Sequence, residues 1–181
     1  MRKRFYLYLI FLFTFFTFSW AQIHPNLEKE IKKVLSDPEE IEAKVIEISA
    51  DKKKEIEKKL RYKILENSFT FYVDKSEEEP TSYCFVVSEK GKLDIITVVV
   101  AISKDGYIKN ISVVDNAEVK TTKIGKERFL RQFISKTSKD PVRLRKDIDA
   151  ISRATVSSAA ATKAVRKALV IWQELFLDNG N

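Results

Sequence analysis

Apolar residues recur along this chain at two spacings, and each spacing predicts a different element. Between 26 and 36, Leu27, Ile31, Val34 and Leu35 fall on one side of a helix. Asp37-Pro38 ends that segment, because a residue before proline is pushed out of helical geometry. Residues 50–65 repeat the spacing with Ile56, Leu60 and Ile64, which predicts a second helix with a lysine-rich solvent face. The period then changes to two. Phe69, Phe71 and Val73 alternate through 68–74 and predict a strand. From Ser82 to Asp115 the pattern predicts a β-meander with strands over 82–88, 94–103 and 107–114. The middle run, DIITVVVAIS, is apolar nearly throughout and is therefore placed at the centre of the sheet. Lys104-Asp105-Gly106 forms the turn after it, with Asp-Gly supplying the positive φ angles of a tight hairpin.

Helical spacing returns over 126–136, where Phe129, Leu130, Phe133 and Ile134 share a face. Pro141 and the basic stretch 142–146 form a connection. The last element, 157–177, carries Ala161, Val165, Ala168, Leu169, Trp172 and Phe176 as its apolar stripe, with Lys163, Arg166 and Lys167 outward. The fold class is α+β: an antiparallel β-meander sheet packed with helices, closed by a C-terminal helix.

The first residues stand apart. Arg2, Lys3 and Arg4 precede an apolar run from Phe5 to Trp20, and Ser19 and Ala21 supply small residues for cleavage after Ala21. The run is 16 residues, whereas a spanning helix needs about 20. Residues 1–21 are therefore expected to be a signal peptide, with the alternative of an uncleaved N-terminal helix that anchors the chain. Either way the expected location is periplasmic or extracytoplasmic. No cysteine follows the run, which excludes a lipoprotein anchor. Residues 22–81 form a helical and strand region ahead of a domain over 82–181.

Composition narrows the chemistry. One cysteine and one histidine, Cys84 and His24, exclude a disulfide framework, a cysteine-based zinc site and a multi-histidine metal cluster. Cys84 lies in an apolar run and is expected to be buried and inert. Without residues 1–21 the balance is 30 basic against 26 acidic residues, with Lys and Glu interspersed, so no nucleic-acid partner is expected. A Gly-rich phosphate loop, a nucleophile elbow and an HExxH motif are all missing, and no catalytic or metal-binding residue is assigned. Ser152, Thr155, Ser157 and Ser158 crowd the start of the last helix. A helix start presents free N–H groups and a positive dipole end, which suit a phosphate. On the residues alone, helix capping at about 1 kcal/mol per residue is the simpler explanation of these hydroxyls.

The segment Asp149-Ala150-Ile151-Ser152-Arg153-Ala154-Thr155 resembles the flavinylation motif of the periplasmic FMN-binding domain family, Asp-x-x-Ser/Thr-Gly-Ala-Thr. That family includes the flavin-carrying subunits of the Rnf complex and of sodium-pumping NADH:quinone reductase. Asp149, Ser152, Ala154 and Thr155 match, and Val156-Ser157-Ser158-Ala159 resembles the continuation into a helix. Thr97 to Ala101 with Asp105 to Ile108 is similar to the family's central hairpin, and Arg128-Phe129-Leu130-Arg131-Gln132-Phe133 to the helix after it. The resemblance covers about residues 82–176. It implies FMN held covalently as a phosphoester on Thr155, with Asp149, Ser152, Ala154, Val156 and Ser157 as the other cofactor-binding positions. It also implies maturation by a flavin transferase that uses FAD and a divalent metal, and redox partners in the membrane or periplasm. The function implied is electron transfer by an exported flavoprotein rather than classical catalysis.

Two positions depart from the pattern. Arg153 stands where the motif has glycine, and either obstructs the transferase or pairs with the FMN phosphate. Residues 116–125 (NAEVKTTKIG) replace a Glu-Thr-Pro-Gly type loop: Glu118 and Thr122 are present, proline is not, and Gly125 is displaced. The alternative function is a flavin-free member of the same fold that acts as a binding or structural module.

Overall fold

A computed structural model describes residues 25–177. The expected signal segment, His24 and the last four residues lie outside the described residues. Five strands, β1 (Ile41–Glu47), β2 (Ser68–Asp74), β3 (Ser82–Lys90), β4 (Ile95–Ser103) and β5 (Ile108–Val113), form one antiparallel sheet in sequence order. Helix α1 (Pro25–Val34) covers one face. Helices α2 (Ala50–Leu60) and α5 (Thr155–Trp172) pack on the other, while α3 (Ala117–Thr122) and α4 (Glu127–Leu130) lie in the connection after β5. The α+β meander is as the period change predicts.

β4 explains its own sequence. Ile96, Val98, Val100 and Ile102 enter the main core beneath α5. Val99 and Ala101 point the other way, into a smaller cluster with Cys84, Ile31 and Val34. A strand covered on both faces has no solvent side, so polar alternation vanishes. Cys84 is fully buried, and burial pushes its thiol pKa up, consistent with an inert role.

Four elements differ from expectation. β1 forms where no strand was expected: Ile41, Ala43 and Val45 alternate with Glu42 and Lys44, but as an edge strand paired only to β2 it fully buries none of its residues. α2 stops at Leu60, where Arg61 turns left-handed at φ 66° and returns its N–H to Glu57. Ile64 still reaches the core, from the loop. The helix expected over 126–136 is only α4 and one 3₁₀ turn, Arg131–Phe133, with Phe129 and Phe133 both buried. α3 forms where no helix was expected: the Asn116 side chain accepts from Val119 N–H and donates to the Ile95 carbonyl.

The β4–β5 turn needs glycine twice over. Within this turn Gly106, and not Asp105, takes a positive φ, at 89°. A Cβ there would also lie 2.5 Å from the ring of Trp172, which closes the far end of α5 against this turn. Among the described residues no helix is long and apolar enough to cross a membrane.

Candidate functional site

α5 begins at Thr155, two residues earlier than its apolar stripe indicates. The residue before it, Ala154, occupies the N-cap and offers no side-chain acceptor to the first-turn N–H groups. Ahead of it the chain turns sharply. Ala154 N–H donates to the Ile151 carbonyl at 3.0 Å, and Arg153, at the third position of that turn, has φ 64°. This is the place where type II turns take glycine, and an L-residue there costs roughly 1–2 kcal/mol. The glycine of the resembled motif therefore has a backbone reason, and Arg153 adopts the same left-handed geometry despite its side chain.

The four hydroxyls divide into two pairs. Ser152 and Thr155 are exposed, as are Arg153 and Val156. Ser157 and Ser158 are buried. Ser158 Oγ accepts the Ile151 N–H at 3.1 Å and so ties the helix back to the turn. Ser157 Oγ donates to Glu118 Oε1 at 2.5 Å. None of the four caps the helix with its side chain. The capping explanation therefore fails for Thr155, which is left outward at the helix start.

Ser157 meets the carboxylate of Glu118, which the sequence marks only as part of the 116–125 loop. Glu118 is 1% exposed, and among the described residues no cation pairs with it. Its oxygens accept backbone N–H bonds from Lys92 at 2.8 Å, Leu93 at 2.6 Å and Asp94 at 2.7 Å, besides the Ser157 hydroxyl. Burial alone would raise its pKa, but these four donors outweigh that and hold it down at about 2. The β3–β4 turn wraps the carboxylate closely. A Cβ on Gly91 would fall 2.5 Å from Glu118 Oε1, so glycine is required by the approach itself.

Asp149 is placed by its backbone. The Gln132 side chain accepts Asp149 N–H at 2.7 Å and donates to the Asp149 carbonyl at 3.3 Å. This clasp joins the end of the 3₁₀ turn to the start of the motif, two segments that the sequence shows only as separate similarities. Beside it opens a cleft of about 700 Å³, walled by residues 149–152, Gln132 and Phe129, with Lys123, Lys126 and Arg128 along its edge. Ser152 reaches its lining, and Thr155 stands three residues further on, outside it.

Charge is not evenly spread around the fold. Residues 116–153, which supply every wall of the cleft, hold 11 basic and 5 acidic residues, whereas the rest of 22–181 holds 19 basic and 21 acidic. Of those 11 basic residues, Lys123, Lys126 and Arg128 line the cleft. Among the described residues no group of His, Cys, Asp or Glu could hold a metal ion.

Sequence reading found Asp149, Ser152 and Thr155 through the motif, and the fold brings the first two to the cleft and Thr155 beside it. Val156 is exposed next to Thr155, and Ala154 is buried beneath the turn. Ser157 faces inward to Glu118, so whatever it does at this site passes through that carboxylate. Glu118 and Gln132 carry roles that no local pattern signals, because their partners lie 24–39 and 17 residues away.

Comparison with known proteins agrees with this geometry. No curated protein sequence matches the chain. The crystal structure of NqrC from Shewanella oneidensis is similar over 84% of this chain and 95% of that one, with a TM-score of 0.60 and 15% identity. At that identity the likeness is one of fold. Residues 91–170, from the glycine that cradles Glu118 to the last turn of α5, match the family model described as FMN-binding domain.

Proposed function

We propose that this protein is an exported flavoprotein that carries FMN covalently on Thr155 and transfers electrons outside the cytoplasmic membrane. The observation that carries the reading is Thr155 itself: an exposed hydroxyl on the first residue of an 18-residue helix whose N-cap offers no side-chain acceptor. The residues present fit the group. A phosphate on Thr155 Oγ would meet uncapped N–H groups and the positive end of the α5 dipole. Arg153, exposed and adjacent, is placed to pair with that phosphate. Phe129 and Ile151 give the neighbouring cleft its apolar surface, and Lys123, Lys126 and Arg128 give it positive charge suited to an anionic cofactor.

When bound, FMN supplies reversible electron transfer through its ring; the chain supplies the tether, the orientation and the electrostatic surroundings. No acid–base group is then required. Lys123, Lys126 and Arg128 at the cleft also favour partners with acidic docking surfaces. The flavin transferase that matures the protein approaches the same side, and electron partners lie in the membrane or periplasm. Support for the electron-transfer reading comes from the FMN-binding domain and from the NqrC-like fold.

Co-production with a flavin transferase, followed by intact-mass and peptide mass spectrometry, tests the proposal. The adduct should map to Thr155 in the exported protein. Thr155→Ala should abolish it while leaving the circular dichroism unchanged, because the side chain caps nothing. An adduct that persists in the folded variant, or that maps to Ser152, overturns the assignment. A wild-type chain with no adduct supports the flavin-free alternative.

A further inference from the structure

Glu118 is one of two buried carboxylates in the described fold, and the chemistry assigned to Thr155 makes no direct use of it. Three consecutive backbone N–H groups of the β3–β4 turn and one hydroxyl of α5 converge on its two oxygens. Three successive N–H groups aimed at one point form an anion nest, and here the chain fills its own nest. The carboxylate sits on α3, so it joins three separate pieces of backbone. Oε1 is shared between Lys92 N–H and Ser157 Oγ, which makes a bridge from turn to helix through a single atom. Ser157 is two residues from Thr155 in the same helical turn. The α5 start has no cap to fix it from the solvent side, and the bonds through Ser157 and Ser158 are what hold its inner side.

We infer that Glu118 is a positioning residue for the flavin acceptor: by tying the β3–β4 turn to the first turn of α5, it fixes the direction in which Thr155 presents its hydroxyl. The inference rests on the reading of Thr155 as acceptor. Gly91 belongs to the same device, since any side chain there would displace the carboxylate. The arrangement uses neutral donors only, so it orients the helix start without placing a cation beside the site.

Chemical rescue tests this in the full chain. Glu118→Ala removes the carboxylate and leaves the four donors around a space that formate can fill. In the flavin-free protein, backbone hydrogen exchange should speed up by about tenfold both at 92–94 and at the start of α5, the equivalent of a lost hydrogen bond. Added sodium formate should restore both regions, and sodium chloride at equal ionic strength should restore neither. With a flavin transferase, the attachment rate should fall by about tenfold through kcat, with KM for FAD unchanged, and recover with formate. Ser157→Ala, which keeps the bonds to the turn, should loosen the α5 start alone and slow attachment; it serves as the test should Glu118→Ala fail to fold. Exchange that speeds only at 92–94, or attachment at the wild-type rate in Ser157→Ala, overturns the inference. If the wild-type chain takes no flavin, the Thr155 reading fails, and the exchange arm still decides whether Glu118 couples the two segments.

Discussion

The two ends of α5 each hold a buried carboxylate, and they hold it by opposite means. At the start, Glu118 is surrounded by three backbone N–H groups and a hydroxyl. At the far end, Glu174 is fully buried in the π-helical turn Gln173–Leu177, and the ammonium groups of Lys59 at 2.5 Å and Lys52 at 3.4 Å, both on α2, pair with it. The first arrangement orients: backbone donors have fixed directions, and their loss is felt as a change of geometry. The second anchors: lysine heads on flexible stems follow the carboxylate and keep α2 on α5. The surroundings match. Near Glu174, Trp172, Phe176, Tyr83 and Phe71 stack in a continuous aromatic cluster. Near Glu118, Ser157 and Ser158 are buried, while Lys92, Leu93 and Asp94 of the turn and Thr155 lie at the surface. The aromatic packing is concentrated at one end of the helix, and the proposed flavin acceptor stands at the other.

If that division is real, the largest loss of stability should come from the end without chemistry. Trp172 is 1% exposed and packs onto Gly106. Trp172→Ala should cost about 3–5 kcal/mol, a large share of the roughly 5–15 kcal/mol available to a domain. Urea unfolding measures it. At temperatures where the variant remains folded, flavin attachment to Thr155 should proceed at the wild-type rate. Attachment lost in folded Trp172→Ala would break the division, because the far end would then be setting the geometry of the site.

The same division explains what was legible in the sequence. β2 to β5 and α5 follow from periodicity because their side chains pack against large apolar surfaces, which forces a regular pattern. β1 does not, because its short alternation of Ile41, Ala43 and Val45 puts no bulky side chain fully into the core; Val45 is 58% exposed. At the site, the motif gave Asp149, Ser152 and Thr155 by resemblance, and the physics of helix starts alone favoured caps. The fold removes that ambiguity by turning Ser157 and Ser158 inward. Glu118 and Gln132 could not be read as partners of the motif, since a hydrogen bond across 17 to 39 residues leaves no local trace. Arg153 is the middle case. Its departure from glycine is visible in the sequence, but the left-handed φ of 64° that makes glycine the usual choice is set by the turn and shows only in the fold.

A smaller effect tests the charge of Glu118 by pH. Glu118 has its pKa lowered to about 2 from an ordinary value of 4.5. A lowered carboxyl contributes stability that is fully present above 4.5 and is lost as pH falls toward about 2. Glu118→Gln places an amide NH₂ against donors and should destabilise by roughly 1–3 kcal/mol at neutral pH. The difference between wild type and Glu118→Gln should shrink across that acid window, as the wild-type carboxyl takes up its own proton. Denaturant unfolding at several acidic pH values reads it. A difference that stays constant down to pH 2 would mean that the carboxylate charge plays no part in holding the turn.

The smallest effect falls on Arg153, and it sharpens the comparison most finely because strain and chemistry predict different outcomes there. Arg61 at the end of α2 and Arg153 before α5 share almost the same left-handed φ, 66° and 64°. Glycine relieves the same strain at both, at the cost of a more flexible unfolded chain, so Arg61→Gly and Arg153→Gly should each stabilise by about 0.5–1 kcal/mol. Arg61 is remote from the motif and reports strain relief alone. Arg153 also stands beside the acceptor. If its guanidinium pairs with the phosphate, Arg153→Gly should leave flavin occupancy unchanged or lower it, while Arg61→Gly leaves it at the wild-type level. Mass-resolved occupancy after co-production with a transferase, set beside thermal unfolding of both variants, separates the two. A rise in occupancy confined to Arg153→Gly would reverse the assignment, making the side chain an obstruction to the transferase rather than a partner of the phosphate.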